Sequence, residues 1–526
     1  MVKLYVLPFV AATTLVLLAL WGPIARPPLL APGSAGTTVP LRHSREAEEC
    51  HRVKRLPGRG KLGDLRLFSG TVPVSEDRAL FYAMVEAEKR PEEAPVVLWL
   101  TGGPGCSSVG TAFLGEHGPY FMSPGSSRRL IRNHWSWHTL PANVIYLDAP
   151  AFVGFSYSNS STDREAGDNA TTADILSFLK GWQSLFPRLR DNPFWLAGES
   201  YAGRHRHYVP NLAFKLLQHS RPSHAEAGPG PKDYASRALR LDFRGFMLGN
   251  PSTDPEYDNK GRLTYWHSHG LISEDIRREI EDTCDFKEVI ITPTIEVETR
   301  KEDEKCKKAV QDAISEMGSI DIQNVIGDQC KRDSKAASSR QGGLPTLLSM
   351  LRGKQEVDPC ISQEVEAYLG RRDVQDALHA NMTGLLNWTY KGCTEGEIFK
   401  YSADDQLESQ LPLYRKLMEQ APELRVLIYT GDADGMVPLT GTRKWVFELG
   451  TEEGKKKKVH WKHWEDTDGQ VGGYLEEYQD FTFLTIRSAG HEAPYTGKQW
   501  VRVGARGGAA EGFTRWQACL LGALRS

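Results

Sequence analysis

Three short stretches carry residue types that could act together in nucleophilic catalysis, and the first contains Ser200. It lies in residues 198–202 (GESYA), after an apolar, strand-like run at 194–197 (FWLA) and before a helix-forming segment that begins around Tyr208. This order favours a tight strand-to-helix turn that lifts a serine oxygen above the edge of a sheet. Because the usual Gly-x-Ser-x-Gly is Gly-x-Ser-x-Ala here, the motif alone is a weak signal, and an ordinary loop serine explains an isolated match.

An acid and a base lie in the two later stretches. Asp434 follows an apolar run within residues 425–438 (RVLIYTGDADGMVP), and His491 follows another within residues 481–494 (FTFLTIRSAGHEAP). A serine hydroxyl becomes a good nucleophile only when a base removes its proton, and a buried carboxylate fixes the tautomer of that base. The chain order Ser, Asp, His is that of an α/β-hydrolase triad. Three such features in this order, each at a strand end, are far less expected by chance than any one of them.

The sequence therefore predicts a catalytic triad of Ser200, Asp434 and His491. Asp434 is preferred over Asp432 as the acid, because it directly precedes the Gly-Met-Val-Pro turn, whereas Asp432 could simply cap the loop.

Acyl transfer at such a serine also needs N–H donors aimed at the negative charge that develops on the substrate oxygen. The backbone N–H of Tyr201, directly after the nucleophile, is one candidate. The other lies in the glycine-rich loop 101–105 (TGGPG), which follows an apolar run at 95–100, because glycine lets the backbone approach a ligand closely. This loop and the residue after Ser200 are thus expected to form an oxyanion hole.

The elements that would position these residues alternate between strand and helix. Strands are predicted at 95–100, 142–148 and 241–250, and helices at about 170–185 and 209–219. This alternation indicates a mostly parallel central sheet with helices on both faces, which is an α/β fold of the α/β-hydrolase type.

The character of the chain changes between about 268 and 400. Strand-like runs become scarce, charged helical segments dominate, and five of the eight cysteines lie here, so this stretch is interpreted as an inserted, disulfide-stapled helical cap. The predicted organisation is a signal peptide and linker, a first part of the α/β-hydrolase core, the cap, and a second part of the core: 1–36, 37–267, 268–400 and 401–526.

Composition narrows the compartment and the partners. Lys3 and the mostly apolar stretch 4–21 are typical of a secretory signal peptide, with a signal anchor as the alternative because the run is long. Eight cysteines without a Cys-x-x-Cys pair favour disulfides over a zinc site, so neither a metal nor a cofactor is expected. Four Asn-x-Ser/Thr sequons are candidate glycosylation sites of the same compartment: Asn159, Asn169, Asn381 and Asn387.

Net charge excludes one class of partner. The chain of 526 residues has a formal net charge of −3, which gives no reason to expect a nucleic acid or another polyanion. The one dense basic run, residues 455–458, is explained more simply by a solvated loop. Beyond the N-terminus no stretch is apolar enough to span a bilayer, so no membrane association is expected after signal cleavage.

Four sequence blocks carry a resemblance to a known family. Residues 102–108 (GGPGCSS), 198–203 (GESYAG), 431–434 (GDAD) and 490–494 (GHEAP) resemble the signature blocks of the serine carboxypeptidases, which include yeast carboxypeptidase Y, cathepsin A and plant enzymes. The resemblance implies an exopeptidase that removes the C-terminal residue of peptides and proteins, usually best at acidic pH. It also implies the secretory pathway, with the vacuole, the lysosome or the extracellular space as destination, and a homodimer is a further expectation.

The resemblance also implies roles for single residues. Ser200, Asp434 and His491 match the triad, and Gly103 and Tyr201 match the oxyanion donors. Other residues match the group that holds the terminal carboxylate of the substrate: Gly102, Glu116 and Glu199, with Thr101 at a neighbouring position. Two carboxyl groups brought close together share a proton, which one of them can donate to that carboxylate.

Further implied features are less specific. Glu492, directly after His491, would attract a basic residue near the scissile bond, or it is a solvated loop acid. The cysteines would pair as Cys106–Cys393, Cys284–Cys306 and Cys330–Cys360, which leaves Cys50 and Cys519.

Three departures from the pattern open alternatives. The peptidases generally have Asn where this chain has Thr101, and Thr there resembles the plant acyltransferases of the same family, which transfer acyl groups from activated esters to alcohols. Those transferases tend to have Gly-Asp-Ser-Tyr-Ser, whereas this chain has GESYA at 198–202, so hydrolysis is favoured. The other departures are apparent insertions at 204–206 and 500–512. They support a further alternative, an inactive homologue that serves as a binding or stabilising partner.

Overall fold

A large β-sheet with a parallel centre organises the chain. The computed structural model describes residues 41–140, 142–203, 208–220, 239–291, 297–299, 303–331, 357–381, 389–394, 396, 398–452, 456–466 and 469–497. They fall within one compact unit, Val39–Ser526. The strands, in chain order, are β1 (Arg52–Val53), β2 (Arg55–Leu56), β3 (Gly60–Lys61), β4 (Leu67–Pro73), β5 (Arg78–Val85), β6 (Val96–Leu100), β7 (Tyr120–Ser123), β8 (Ser126–Arg132), β9 (Asn143–Leu147), β10 (Tyr157–Ser158), β11 (Glu165–Ala166), β12 (Pro193–Glu199), β13 (Asp242–Gly249), β14 (Val289–Ile291), β15 (Val297–Thr299), β16 (Lys400–Tyr401), β17 (Arg425–Gly431), β18 (Val459–Glu465), β19 (Val471–Glu477) and β20 (Phe481–Ile486).

Helices connect these strands and cover the sheet. In chain order they are α1 (Leu41–Cys50), α2 (Asp168–Leu185), α3 (Tyr208–Ser220), α4 (Pro255–Ser268), α5 (Glu274–Thr283), α6 (Glu304–Met317), α7 (Ile361–Leu369), α8 (Arg372–Ala377), α9 (Ala403–Gln406), α10 (Leu411–Gln420), α11 (Leu439–Thr451) and α12 (Ala493–Thr496). Shorter helical turns span Val109–Glu116, Ser161–Arg164, Pro187–Leu189 and Ser200–Gly203. Among the described residues, none of the helices has the length and apolar character that crossing a bilayer requires.

The strand order places the parallel strands at the centre of the sheet. The order is β1-β4-β5-β9-β6-β12-β13-β17-β20-β19-β18, and the pairs from β9 to β20 are parallel, while the strands at both ends are antiparallel. A strand covered on both faces is a continuous apolar run, and all five residues of β6 are buried. The sheet and its helices confirm the predicted α/β-hydrolase class.

Successive side chains of the central strands point to opposite faces of the sheet and pack in two separate cores, one on each face. On β12, Phe194 and Leu196 pack among residues of α2, α3, α10 and α11, whereas Trp195 and Ala197 pack on the opposite side, against the turn Val109–Glu116 and α7. Both faces of the central strands are therefore buried. Functional side chains are expected on the loops that leave the strand ends, where they can reach a ligand.

The stretch interpreted as a cap contains α5 to α8 and the small hairpin of β14 and β15. Its disulfides are Cys284–Cys306 and Cys330–Cys360, while Cys106–Cys393 ties it to the loop after β6. A third core joins Leu263 of α4, Ile280 of α5 and Val310 of α6 to Met436. The insert is thus packed against the loop that contains Asp434, and the domain boundaries at 267 and 400 stay predictions.

The structure adds elements that the sequence pattern did not predict. Helix α1 lies in a polar stretch before residue 60, and strand β5 lies within a stretch around 79–89 whose residue pattern alone is compatible with either strand or helix. The antiparallel strands β18 and β19 also lacked a prediction, because β18 has charged and aromatic residues on an exposed edge. Several predictions lie outside the described residues: the signal peptide at 1–36, the insertions at 204–206 and 500–512, Asn387 and Cys519.

Candidate active site

Ser200 lies on a tight turn between β12 and α3. Its backbone φ is 60°, in the left-handed region that non-glycine residues rarely occupy, which is the strained conformation expected of a nucleophile turn. The neighbours must be small: a Cβ on Gly198 would lie 2.8 Å from the Leu100 carbonyl oxygen and 2.9 Å from the Ala202 Cβ. Because Gly198 has no Cβ, the alanine that replaces the usual glycine at 202 has room.

The predicted acid and base are in direct contact. His491 Nδ1 donates to Asp434 Oδ2 at 2.6 Å, and both side chains are buried. Asp434 Oδ1 accepts from the backbone N–H groups of Met436, at 2.7 Å, and Val437, at 3.1 Å. With Nδ1–H held by the carboxylate, Nε2 is the basic nitrogen of the imidazole, as general-base catalysis by a serine–histidine pair requires.

Asp432 has a different role from Asp434. Its Oδ1 accepts from the backbone N–H of Ser488 at 2.6 Å, so it joins the loop after β17 to the loop after β20. It therefore helps to hold the two loops together, and the sequence preference for Asp434 as the acid agrees with these contacts.

Asn250 belongs to the candidate site by its contacts, although the sequence analysis did not single it out. Its amide Nδ2 donates to Asp434 Oδ2 at 2.7 Å and to Thr430 Oγ1 at 3.1 Å, while its Oδ1 accepts from the Gly431 N–H at 3.1 Å. Its φ of 40° is again left-handed, which Asn tolerates better than most residues. The asparagine at the end of the run 241–250 was a signal that the sequence offered, since polar residues at strand ends of such a sheet commonly belong to the site.

Topology brings these groups to one edge of the sheet. Ser200, Asn250, Asp434 and His491 follow β12, β13, β17 and β20, which are consecutive parallel strands. The carboxyl ends of parallel strands meet at the same edge, which is where sites in open α/β sheets are found.

Negative charge around His491 favours its protonated form. Burial acts to lower the pKa of His491, but the carboxylates of Asp434, Glu492 and Asp321 outweigh burial, so that the pKa is raised above its ordinary value. An imidazole in this environment takes up a proton readily, which suits a group that must accept one from a serine hydroxyl.

The two candidate oxyanion donors lie side by side. A Cβ on Gly102 would lie 2.5 Å from the Tyr201 backbone nitrogen, so the glycine loop packs directly on the residue after the nucleophile. Gly103 has a φ of 111°, a conformation that favours glycine. The loop and the elbow therefore have the closeness that an oxyanion hole built from the N–H groups of Gly103 and Tyr201 needs.

A buried aspartate that the sequence did not single out holds the glycine loop. Asp148 Oδ1 accepts from Ser107 Oγ at 2.7 Å and from the Val109 N–H at 3.1 Å. Burial raises the pKa of Asp148 to about 7, although hydrogen bonds from Ser107 and backbone N–H groups oppose this rise. The disulfide Cys106–Cys393 fixes the same loop to the insert.

Glu116 and Glu199 form a pair of buried carboxyl groups beside the nucleophile. Glu116 is fully buried and Glu199 is 2% exposed, and the two carboxyl groups interact electrostatically with each other. Burial, followed by the charge of Glu116, raises the pKa of Glu199 well above its ordinary value. Burial, followed by the charges of Glu199 and Glu116, also raises the pKa of the Tyr429 phenol. The pair is therefore expected to keep a proton to a higher pH than an isolated carboxyl group would.

Thr101 forms hydrogen bonds through both its side chain and its backbone with neighbours close in sequence. Its Oγ1 accepts from the indole N–H of Trp99 at 2.9 Å, and its backbone N–H donates to Ser108 Oγ at 3.0 Å. With a lone pair of Oγ1 used by Trp99, the hydroxyl proton remains a donor toward a ligand. The threonine thus offers an O–H donor at the place where the peptidases have the N–H donors of an asparagine amide.

The remaining predicted residues lie at the rim of the site or away from it. Glu492 is half-buried at the start of α12, next to His491. Of the sequons, Asn159 and Asn169 are exposed, whereas Asn381 is half-buried and its Nδ2 donates to Gln375 at 3.4 Å. Cys50 is exposed and is not part of a disulfide.

The family is decided by comparison with known proteins. The family model described as serine carboxypeptidase matches residues 57–502, which is most of this chain. The chain belongs to the serine carboxypeptidase family.

Plant members of the serine carboxypeptidase family are similar to this chain over most of its length. Serine carboxypeptidase-like 25 of Arabidopsis thaliana is 36% identical over 468 residues, which cover 87% of this chain and 90% of the relative. Serine carboxypeptidase 24 of the same plant is 36% identical over 466 residues, with coverage of 87% and 91%. Serine carboxypeptidase-like 26 of Oryza sativa subsp. japonica is 36% identical over 460 residues, with coverage of 85% and 87%.

One solved structure with a similar fold is Kex1(delta)p, a prohormone-processing carboxypeptidase from Saccharomyces cerevisiae. The TM-score is 0.63 at 20% sequence identity, and the match covers 86% of this chain and 94% of that chain. At this identity the likeness concerns the fold, and it agrees with the α/β-hydrolase architecture described above.

For this member of the serine carboxypeptidase family, the acid of the triad can be tested by a matched pair of variants. Replacing Asp434 by Asn should lower the rate at which a fluorophosphonate labels Ser200 by about 10³- to 10⁴-fold, because an amide cannot hold the imidazole in the reactive tautomer. Asp432→Asn should retain most of the labelling rate, since Asp432 bonds the Ser488 N–H and not the imidazole. An equal loss in both variants, or a loss in Asp432→Asn alone, would contradict the assignment.

Proposed function

We propose that this protein is a serine carboxypeptidase that hydrolyses the C-terminal peptide bond of peptides and proteins. The proposal is supported by membership of the family together with the arrangement of Ser200, His491 and Asp434 at one sheet edge. The substrate is a peptide with a free C-terminal carboxylate, and no cofactor takes part in the proposed reaction.

The proposed reaction has two steps with a covalent intermediate. The Ser200 hydroxyl attacks the carbonyl of the last peptide bond while His491 takes its proton, and Asp434 stabilises the imidazolium. The N–H groups of Gly103 and Tyr201 stabilise the oxyanion. His491 then gives the proton to the leaving amine, which departs as the C-terminal amino acid. Water, deprotonated by His491, hydrolyses the acyl-enzyme and frees the shortened peptide.

The single observation that carries the assignment to an exopeptidase is the buried pair of Glu116 and Glu199. A general serine hydrolase has no need of two buried carboxyl groups beside its nucleophile, because burying a second acid next to a first is unfavourable. The arrangement becomes useful when the ligand itself is a carboxylate, since the shared proton can be donated to it. Gly102 and Thr101 adjoin this place and supply further donors.

A second candidate function, acyl transfer, is favoured by Thr101. The resemblance of this position to the plant acyltransferases concerns the group that recognises the substrate, whereas the acyl-enzyme chemistry is common to both reactions. Water as acceptor gives hydrolysis, and an alcohol gives transfer. Glu199 favours the peptidase, because the transferases tend to have aspartate before the nucleophile.

The proposed place of action is the secretory pathway, with the vacuole, lysosome or extracellular space as destination. The three disulfides agree with an oxidising compartment.

One experiment tests reaction class and nucleophile together. A defined peptide is incubated at acidic pH with the wild-type protein and with Ser200→Ala, and the products are read by mass spectrometry. The expected result is loss of one C-terminal residue with the wild type and no cleavage with the variant. Internal cleavage, or equal cleavage by both proteins, would contradict the proposal.

The alternatives give different results in the same assay. An acyltransferase would leave the peptide intact and would transfer the acyl group of an acyl-glucose to an alcohol, with loss of transfer in Ser200→Ala. An inactive homologue would do neither, and its Ser200 would not react with a fluorophosphonate.

The buried carboxyl pair predicts the pH dependence of peptide cleavage. The pKa of Glu199 is raised, so the shared proton is present at low pH and is lost as pH rises through that pKa. The two negative charges then repel the substrate carboxylate, and kcat/KM for peptides should fall as pH rises through that raised pKa, mainly through a rise in KM. Ester substrates without a free carboxylate serve as the control and should lack this fall. A peptide profile that still rises at alkaline pH would remove the argument.

A second pair of variants tests Thr101 as a donor to the substrate carboxylate. Thr101→Val keeps the shape but removes the hydroxyl, so KM for peptides should rise about tenfold with little change in kcat, which corresponds to one hydrogen bond to a charged group. Thr101→Ser keeps the hydroxyl and should stay near the wild-type KM. In Thr101→Val the buried Trp99 N–H also loses its acceptor. Thermal melting measures the loss of stability that follows, so that it can be separated from the effect on KM. Equal KM values in wild type and Thr101→Val would show that the hydroxyl does not touch the substrate.

A further inference from the structure

A segment of the insert is bonded to the loops that contain the candidate acid and base. Residues 320–327, called the strap here, lie between α6 and Cys330. The Gly435 N–H donates to the Ile322 carbonyl oxygen, and the Val325 N–H donates to the Ala433 carbonyl oxygen, both at 2.9 Å. These two bonds hold the residues on either side of Asp434.

The strap holds the base as well. The backbone N–H of His491 donates to the Gln323 carbonyl oxygen at 2.6 Å. One continuous segment of eight residues is therefore hydrogen-bonded to the loops of both Asp434 and His491, which come from different strands. Backbone bonds of this kind fix the main chain of the two loops relative to each other, in addition to the bond between the side chains.

Two glycines permit this close approach. A Cβ on Gly490 would lie 2.4 Å from the Gln323 carbonyl oxygen, and a Cβ on Gly435 would lie 2.8 Å from the Ile322 Cδ1. Each glycine adjoins a member of the candidate triad, and each is explained by the strap that lies against it.

The strap is itself anchored at both ends. Ile322 packs in the core that joins the insert to Met436. Just beyond the strap, the Cys330–Cys360 disulfide leads to Asp358, whose N–H donates to the Tyr495 hydroxyl at 2.7 Å. Tyr495 belongs to α12, the helix directly after His491, so a closed path of contacts runs from His491 through the strap and back.

Asp321 places a carboxylate in the strap, whose backbone is bonded to the loops of the acid and the base. Its Oδ1 accepts from the Gln323 N–H at 3.0 Å and its carbonyl oxygen from the Asn324 N–H at 3.0 Å, so its position in the strap is fixed. It is half-buried and interacts electrostatically with Asp434 and His491. The charged groups that act on His491 are thus Asp434 from the loop after β17, Glu492 from its own loop and Asp321 from the strap.

We propose that the strap is a positioning element of the catalytic acid–base pair, contributed by the insert: its backbone bonds fix the loops of Asp434 and His491, and its Asp321 carboxylate adds to the negative charge around the imidazole. On this view the insert completes the active site of the core. The proposal rests on the proposed triad and extends it by a positioning segment, and Asp321 is a positioning residue that has no contact with substrate.

Removal of one backbone bond tests the positioning role. Val325→Pro deletes the N–H that donates to Ala433, whereas Val325→Ala keeps it and serves as the matched control. The expected result is a fall of at least tenfold in the rate of Ser200 labelling by a fluorophosphonate, and in kcat with KM unchanged, for Val325→Pro alone. Circular dichroism and thermal melting check that the variant is folded. A folded Val325→Pro that reacts at the wild-type rate would overturn the positioning role.

Asp321→Asn tests the electrostatic part and keeps the Oδ1 acceptor of the strap. Removing this negative charge should lower the pKa of His491, so the labelling rate should rise with pH at a midpoint shifted to lower pH by about half a pH unit. Asp328→Asn removes an equal charge from an exposed position beyond the strap and should leave the midpoint unchanged. Identical midpoints in Asp321→Asn and wild type, or equal shifts in both variants, would overturn the role of Asp321.

A second readout separates this proposal from the proposed function. The ring of His491, labelled with ¹³C and assigned by the loss of its signal in His491→Gln, reports its protonation by nuclear magnetic resonance without any substrate. Failure of the proposed function appears as a wild-type protein that neither labels nor cleaves peptide. Failure of the role of Asp321 appears as an Asp321→Asn titration of His491 that coincides with that of the wild type, whatever the activity.

Discussion

A carboxylate taken out of water, that of Asp434, determines the geometry of the candidate active site. A buried carboxylate that carries its negative charge needs hydrogen-bond donors around it. Here the donors are His491 Nδ1, Asn250 Nδ2 and the N–H groups of Met436 and Val437. They come from the loops after β13, β17 and β20. The hydrogen bonds to this one carboxylate therefore fix three strand ends relative to one another. Because His491 is one of the donors, the same bonds also position the base.

The site contains buried acids in two opposite environments. Asp434 accepts from several donors, including the imidazole of His491. Glu199, in contrast, faces the carboxyl group of Glu116, and its pKa is raised by burial and by that neighbour. Donors around one acid favour an anion that can stabilise an imidazolium, while a second acid beside the other favours a retained proton. Because the environments of the two acids differ, one site can contain both a group that stabilises positive charge and a group that donates a proton.

Local features of the site could be predicted from the sequence, whereas its supporting contacts could not. The run before Ser200, the glycine loop and the strand-end positions of Asp434 and His491 are each encoded within about ten residues, so pattern and spacing were sufficient. Asn250 and the strap act across more than a hundred residues of chain, through bonds that depend on how distant loops meet. Helix α1 was missed for a related reason, since tertiary contacts and not an apolar pattern hold it, including the ion pair of Glu48 with Arg188 at 2.8 Å.

Two unusual residues have physical explanations once their neighbours are known: Ala202, which departs from the general Gly-x-Ser-x-Gly motif, and Thr101, which departs from the pattern of the peptidases. Ala202 replaces a glycine of the nucleophile turn, and the missing Cβ of Gly198 provides the space that its methyl group needs. Thr101 replaces an amide, and its oxygen accepts the Trp99 N–H, which orients the hydroxyl and leaves its proton to donate. In both cases a partner two to four residues away determines whether the substitution is tolerated. The chemistry around Ser200 therefore depends on pairs of neighbours, and a motif compared one position at a time overstates how unusual Ala202 and Thr101 are.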